Sequence, residues 1–278
     1  MRVIKSEIGL CIGIVNAYDK MNRLAQKEGP FLAAHQNSSG AWDTLKRIDR
    51  KDPHLMERYP DLRNISVVYD PARLKPGDKL VFGFHGFTAE TKNELKERGV
   101  NVVKDFQCPF IATMDRQSES LARDGFDLLV MGNKGSHHCT EAERLAAKHG
   151  KGCTVLEKAE DVDTIVVRDG QKLALIGQVT GNTETWSKVV DRVRLRQLPV
   201  KIVETVCSDS HDRQGAARKI AKEADVVVLI NDGGDGSRSS FEVASAVNGR
   251  IHRIEKKEDI QPVWKKRNAI MQQCNNEL

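Results

Sequence analysis

Residues 200–223, VKIVETVCSDSHDRQGAARKIAKE, place a β-branched run, a cysteine and a helical pattern in direct succession. Residues 200–206 have the composition of a buried strand, and residues 211–223 have the pattern of a helix. Cys207 lies between the two segments. Parallel α/β sheets bind their ligands outside the carboxyl ends of the strands. The pattern therefore places Cys207 where such a sheet binds a ligand.

The same succession of strand, cysteine and helix occurs twice more. Its other copies are residues 100–107, Cys108 and residues 111–123, and residues 2–10, Cys11 and residues 14–27. The three cysteines are 97 and 99 residues apart. Near-equal spacing with matching surroundings indicates an internal repeat.

Further strands are predicted between these helices, at residues 31–34, 79–84, 127–131, 154–156, 164–167, 173–178 and 225–230. Continuous apolar strands that alternate with helices are typical of parallel sheets covered on both faces. We therefore expect an α/β fold of three small parallel-sheet units with pseudo-threefold symmetry. The units are expected to span residues 1–99, 100–199 and 200–278. The charged segment 49–64, which contains Pro53 and Pro60, predicts a surface excursion.

The composition excludes several classes of protein. The chain has 278 residues, of which 39% are hydrophobic and 30% charged, as in soluble globular proteins. No apolar run approaches the ~20 residues of a membrane helix. The net charge of +5 is spread along the chain and aromatic residues are only 5%, which disfavours a nucleic-acid surface. Without a secretory leader pattern, we expect a cytoplasmic protein that binds neither nucleic acid nor membrane.

The cysteines indicate a metal centre. The chain has six cysteines and no CxxC pair, which is not a disulfide framework. A helix N-terminus favours the thiolate form of a cysteine at its start. If the units pack around one axis, Cys11, Cys108 and Cys207 meet, and three thiolates suit a cubane iron–sulfur cluster with one open iron. The alternatives are zinc held by three thiolates and water, or three buried thiols without a metal.

Short segments throughout the chain resemble motifs of the LytB/IspH family, the 4-hydroxy-3-methylbut-2-enyl diphosphate reductases. They are residues 9–14 (GLCIGI), Phe84-His85-Gly86, Cys108-Pro109, Val206-Cys207 with Asp212-Arg213-Gln214, and Asp259-Ile260-Gln261 with Trp264. The resemblance implies a trefoil of three α/β domains around a central 4Fe–4S cluster, with Cys11, Cys108 and Cys207 as its ligands. It also implies that the open iron binds a substrate hydroxyl, that reduction expels it as water, and that ferredoxin or flavodoxin supplies the electrons.

The resemblance further implies a set of residues around the substrate. His85 matches a diphosphate-binding histidine of the family, and residues 135–141 (GSHHCTE) stand in place of its GHPE motif. The expected catalytic residues are His85, His137, His138, Glu141 and Thr180. The expected substrate-binding residues are His35, Asn37, Asn231, Ser237, Arg238 and Ser239. Cys139 is expected to be a bystander thiol.

The substrate-binding motifs depart from the family pattern while the cluster cysteines are kept. Asn37 falls where the family has a histidine, QTT becomes Gln178-Val179-Thr180, and the NSSN phosphate loop becomes residues 231–239, NDGGDGSRS. The family's later serine segment has no counterpart after Trp264.

These departures predict a divergent paralogue. We expect an iron–sulfur reductase that removes a hydroxyl, or a related group, from a small molecule other than the family's substrate, with less phosphate or none. The alternatives are a non-redox iron–sulfur enzyme, for dehydration or sulfur transfer, and a cluster-bearing sensor without turnover.

Overall fold

The computed structural model describes residues 11–34, 44–230 and 235–254. The helices are α1 (Ile12–Glu28), α2 (Thr44–Asp49), α3 (Pro53–Arg58), α4 (Ala89–Glu97), α5 (Pro109–Arg123), α6 (His137–Lys148), α7 (Thr183–Leu195), α8 (Ser208–Glu223) and α9 (Asp235–Ser245). The strands are β1 (Phe31–Ala34), β2 (Ile65–Val68), β3 (Lys79–Phe82), β4 (Asn101–Asp105), β5 (Phe126–Met131), β6 (Cys153–Leu156), β7 (Lys172–Gly177), β8 (Val200–Val203), β9 (Val227–Ile230) and β10 (Ile251–Ile254). Short 3₁₀ helices span Pro60–Asn64, Pro71–Arg73 and Ala159–Thr164.

The described strands form three sheets, and their pairings are parallel. The first sheet has the order β2-β1-β3-β4 and the second has the order β6-β5-β7-β8. These two orders are the same when each unit's strands are numbered along the chain. The third sheet, β10-β9, repeats the pairing of the first two strands. The predicted α/β fold of repeated parallel-sheet units is confirmed.

Helices cover both faces of the first two sheets. In the first sheet Val81 packs in a cluster with Tyr18 and Met21 of α1, whereas Leu80 packs with Leu95 on the opposite face. Successive residues of a strand point to opposite faces, which explains this division. The second sheet repeats the arrangement, with α5 and α6 on one face and α7 on the other. Within the described residues, no helix is both long and apolar enough to cross a membrane.

Two strands cross the expected unit boundaries. The strand β4 follows residue 99 but pairs with β3 of the first sheet, and β8 follows residue 199 but pairs with β7 of the second. Each of these strands then leads into the cysteine that precedes α5 or α8. The division into units 1–99, 100–199 and 200–278 remains a proposal. Across each of its two boundaries, the first strand of one unit belongs to the sheet of the unit before it.

The segment 49–64 is not the surface excursion that its charge predicts. It forms α3 and a 3₁₀ helix, and it buries Leu55, Met56 and Leu62 in the same cluster as Tyr18. The side chain of Asp52 accepts a hydrogen bond from the Leu55 N–H at 3.0 Å and so caps α3. The two prolines stand at the starts of these helices, where a missing N–H costs nothing.

The strand predicted at residues 164–167 is also absent from the structure. A 3₁₀ helix ends at Thr164, and Val166 is 80% exposed. The guanidinium of Arg196 donates to the backbone oxygens of Val162 and Ile165. These carbonyl groups thus accept hydrogen bonds from a side chain and not from a neighbouring strand. Residues 164–167 therefore remain irregular.

Candidate functional site

Cys11, Cys108 and Cys207 hold equivalent positions in the fold. Each is the residue directly before the first turn of a helix, respectively α1, α5 and α8. Backbone N–H groups of these first turns point at the sulfurs: the Ser210 N–H donates to the Cys207 Sγ at 3.3 Å. Similar N–H groups lower the pKa of the other two thiols, against the larger effect of their burial. The helix starts therefore supply three comparable sulfur positions.

The backbone fixes two of these cysteines to equivalent loops. The Cys108 N–H donates to the Phe84 oxygen at 2.8 Å, just after β3. The Cys207 N–H donates to the Val179 oxygen at 3.0 Å, just after β7. Each cysteine is thereby held at the carboxyl end of the third strand of its sheet, as the repeat predicts.

The three thiols lie near one another. Burial, with a smaller contribution from the neighbouring Cys108, raises the pKa of Cys11 to about 11. Burial also raises the pKa of Cys108, and the nearby Cys207 makes a smaller contribution in the same direction. A Cβ placed on Gly13 would lie 2.7 Å from the Cys108 Sγ, so α1 begins directly against that thiol. Buried thiols of this kind ionise readily only when a metal compensates their charge.

This donor set fits an iron–sulfur cluster. The three cysteines are free thiols, and the structure records no disulfide among them. No three His, Cys, Asp or Glu side chains in the described ranges converge as a single metal ion requires. A cubane cluster does not need that convergence, because it binds each cysteine through a different iron. Three soft thiolates from three helix starts match its requirement.

Asp209 lies beside the three thiols of Cys11, Cys108 and Cys207, which are called the cysteine cluster below. Its carboxylate accepts a hydrogen bond from the Ile12 N–H at 3.4 Å and another from the Arg213 Nε at 2.6 Å. Its negative charge raises the pKa of both Cys11 and Cys108. Sequence reasoning singled out Arg213 but missed this residue. The four-residue spacing of Asp209 and Arg213 on one helix was the available signal.

Three predicted histidines come together near this cluster. His85 lies in the loop after β3, and His137 and His138 begin α6 after β5. The rings of His85 and His137 stack with centroids 5.0 Å apart. The His138 ring meets them edge-on, at 5.9 Å from His85 and 5.8 Å from His137. Loops from two different sheets therefore supply one group of imidazoles.

His138 is the buried member of this group. It is 5% exposed, and burial, with a smaller effect of His137, lowers its pKa to about 3. The imidazole is therefore neutral at neutral pH. Its Nδ1 is buried and has no hydrogen-bond partner among the described residues. A buried polar nitrogen without a partner is unfavourable, so a ligand group that satisfied it would bind favourably.

Glu141, the predicted acid, is engaged elsewhere. Arg144 donates to both of its carboxylate oxygens, at 2.9 and 2.8 Å. Arg144 also donates to Glu90 at 3.1 Å. The negative charge of Glu141 helps to raise the pKa of the neighbouring Asp115. The structure thus places Glu141 in an ion-pair network between α4 and α6.

Gln178 connects α6 to the end of β7. This side chain is fully buried, and its Oε1 accepts from the Asn133 N–H at 2.8 Å and the Ser136 hydroxyl at 3.2 Å. Its Nε2 donates to the Thr180 hydroxyl at 3.0 Å. The Cys139 Sγ lies 3.7 Å from the same Oε1. Gln178 therefore links Thr180 to the cap of the helix that carries His137 and His138.

The first turn of α9 completes the described part of the site. Ser239 donates to the Thr180 backbone oxygen at 2.8 Å, and Arg238 pairs with Glu242 at 3.2 Å. Ser237 lies in the same turn. Burial raises the pKa of Asp235, to which the side chains of Asn133 and Gln178 donate hydrogen bonds. His35, Asn37 and Asn231 lie outside the described residues.

Known proteins match nearly the whole chain. The sequence profile described as LytB protein matches residues 3–272. The 4-hydroxy-3-methylbut-2-enyl diphosphate reductase of Aquifex aeolicus is 27% identical over 265 residues, which are 94% of this chain and 86% of that protein. The enzyme of the same name from Anaeromyxobacter sp. strain K is 26% identical over 265 residues, covering 94% and 87%.

Solved structures match at the level of the fold. The E-1-hydroxy-2-methyl-but-2-enyl-4-diphosphate reductase from Plasmodium falciparum superposes with a TM-score of 0.74 at 15% identity, over 94% of this chain and 78% of that one. A structure described as the terminal enzyme of the non-mevalonate pathway gives a TM-score of 0.58 at 21% identity, covering 93% and 86%. The three-unit α/β trefoil is the fold that they share with this chain.

Proposed function

Because this chain belongs to the LytB protein family, we propose that it is an iron–sulfur reductase. It removes a hydroxyl, or a related leaving group, from a small molecule that differs from the substrate of its relatives. For a hydroxyl, the substrate takes up two electrons and two protons, its carbon–oxygen bond breaks, and water leaves. An electron-donor protein of the ferredoxin or flavodoxin class supplies the electrons.

One observation carries this proposal. Three thiols, those of the partly buried Cys11 and of the buried Cys108 and Cys207, lie at three helix starts, and the latter two are held by matching backbone hydrogen bonds. These residues would hold a 4Fe–4S cluster. When bound, the cluster would supply electrons and a Lewis-acidic open iron.

The histidines are assigned to the substrate. His85 and His137 orient the leaving oxygen and move a proton to it, since their stacked rings lie at the meeting point of two loops. His138 stays neutral and holds the substrate through a hydrogen bond at its Nδ1. Thr180 orients the substrate from the end of β7, where Gln178 fixes its hydroxyl.

The first test is the Mössbauer spectrum of iron-57-labelled protein purified without oxygen. We expect a cubane signal with one distinct iron site. Cys108→Ser should abolish cluster binding, because it removes a ligand, while circular dichroism shows a retained fold. Cys139→Ser is the matched control, another buried thiol, and should keep the full cluster.

Two results would defeat the proposal. One is the absence of iron after reconstitution. The other is a symmetric four-thiolate cubane that Cys139→Ser alters, because a closed cluster offers no iron to a substrate.

A further inference from the structure

Asp235 lies over the edge of the second sheet where parallel strands bind ligands. Asn133 and Gln178, which donate to its carboxylate, follow the ends of the neighbouring strands β5 and β7. Gln178 also accepts from Ser136, the cap of the helix that begins with His137. The carboxylate therefore belongs to the same group of side chains as the histidines and Thr180.

The surrounding charges are unsuited to a diphosphate. The Arg238 guanidinium is paired with Glu242 at 3.2 Å. The Ser239 hydroxyl donates to the Thr180 backbone oxygen. Asp235 adds a negative charge beside these groups, and like charges brought together repel and weaken binding. The named relatives act on a diphosphate, so the charge at this turn is opposite to what that ligand requires.

His138 does not reverse this balance. Burial keeps His138 neutral, and its Nδ1 lacks a partner among the described residues. A neutral imidazole and a carboxylate together accept hydrogen bonds readily, and they provide no positive charge for a phosphate. A ligand that brings hydrogen-bond donors would satisfy the carboxylate.

We propose that Asp235 makes the site select a substrate whose far end carries a hydrogen-bond donor, a hydroxyl or an ammonium group, in place of a diphosphate. This inference rests on the proposed function, because it concerns the substrate of the same reductase site. The carboxylate accepts the donor group, while the reacting hydroxyl at the other end of the substrate lies toward the cysteine cluster.

The test compares three allylic alcohols on the anaerobically reconstituted protein. One carries a diphosphate at its far end, one a hydroxyl and one an ammonium group. Each is titrated against the electron paramagnetic resonance signal of the reduced cluster. We expect wild type to respond to at least one donor-bearing compound at a concentration about tenfold or more below that of the diphosphate. The hydroxyl and ammonium arms identify which donor is preferred.

Asp235→Asn removes the charge and keeps the side-chain shape. It should tighten binding of the diphosphate by about tenfold or more and weaken that of the ammonium compound. Asp225→Asn is the matched control, since Asp225 is exposed and precedes β9, at the opposite end of that strand from Asp235. It should leave all three affinities unchanged.

A second measurement separates this inference from the proposed function. Iron and sulfide analysis of the same samples tests the cluster. Calorimetry with inorganic pyrophosphate tests Asp235 without any cluster, and Asp235→Asn should bind pyrophosphate more tightly than wild type. The inference is overturned if wild type prefers the diphosphate, if it responds to none of the three compounds, or if Asp235→Asn leaves pyrophosphate binding unchanged.

Discussion

The side-chain amide of Gln107 donates to the Asp115 carboxylate at 2.8 Å and, at the same time, to the His85 backbone oxygen at 3.2 Å. Gln107 is the residue before Cys108, so this bridge lies between the cysteine cluster and the histidines. Gly86, at φ +75°, packs against it: a Cβ there would lie 2.9 Å from the Gln107 Cδ. The turn that carries His85 is thus fixed by Gln107.

Gln107→Leu should loosen this turn. Leucine keeps much of the packing but leaves the half-buried Asp115 carboxylate and the His85 oxygen without their donor, which costs about 1–3 kcal/mol of the free energy of unfolding. Urea denaturation measures this loss. The His85 imidazole resonances should broaden or shift in NMR spectra.

Asp115→Asn is the control for this bridge, because it retains an acceptor for the Gln107 amide. Its His85 resonances should stay close to those of wild type. If Gln107→Leu left both the stability and the His85 resonances unchanged, the bridge would have no positioning role.

Asp115 predicts a pH dependence of stability. Burial and the charge of Glu141 raise its pKa from 3.8 to about 6. The folded protein therefore holds this proton more tightly than the unfolded chain. The contribution of Asp115 to stability is present below pH 3.8 and is lost as the pH rises through 6. After allowance for partial exposure, the loss is about 1–2 kcal/mol.

Denaturation of wild type and Asp115→Asn between pH 4 and 7 isolates the contribution of Asp115 to stability, because the two proteins share all other carboxylates. The stability difference should move in favour of the asparagine variant as the pH rises. Parallel curves across the range would show that Asp115 titrates normally.

His138 predicts a pH dependence of the opposite sign. Its pKa falls from 6.5 in the unfolded chain to about 3 in the fold. Stability is therefore complete above pH 6.5 and declines as the pH falls toward 3, because only the unfolded chain takes up the proton. By pH 5 the loss is about 2 kcal/mol.

His138→Gln removes this titration and keeps a neutral polar group. The stability advantage of wild type over this variant should shrink between pH 7 and 5, as measured by urea unfolding. Nitrogen-15 NMR should also show a neutral His138 ring at pH 5. A protonated ring at that pH would contradict the assigned burial.

Gly13 is expected to resist substitution. A Cβ there would lie 2.6 Å from Phe84 Cε2 and 2.7 Å from Cys108 Sγ, so Gly13→Ala should push α1 away from the cysteine cluster. We expect a loss of about 1–3 kcal/mol in stability and a lower iron content after reconstitution.

Gly215→Ala in α8 provides the comparison, since a Cβ there meets nothing within 4 Å. It should raise stability by about 0.5–1 kcal/mol through helix propensity. Equal iron content in the two variants would argue against close packing at Gly13.

The sequence predicts the parts of this protein that local patterns control. The second and third copies have strong local strand signals, and helices α5 and α8 follow Cys108 and Cys207 as expected. The first copy has the weakest strand signal, because Glu7 and Gly9 interrupt it, and its residues 2–10 lie outside the described residues. The predictions for residues 49–64 and 164–167 were wrong for the same reason. Burial in the first case, and the reach of Arg196 in the second, depend on distant residues that a local window does not contain.

The candidate site was predictable in part for the same reason. His85 and His137 meet because β3 and β5 end near each other, which the repeat indicates without fixing the distance. The hydrogen-bond partners of Gln178 and Asp235 are far from them along the chain. A motif shows which residues follow a strand, but not which distant amide donates to them.

The crossing strands determine how this chain can be dissected. A cut at residue 99 would remove β4 from the first sheet and leave β3, with its buried Leu80 and Phe82, as an open edge. Open apolar edges pair with other chains and aggregate. A cut at residue 199 would likewise remove β8 from the second sheet. A fragment intended to fold alone must include the first strand of the next copy, which is the strand that leads to the next cysteine.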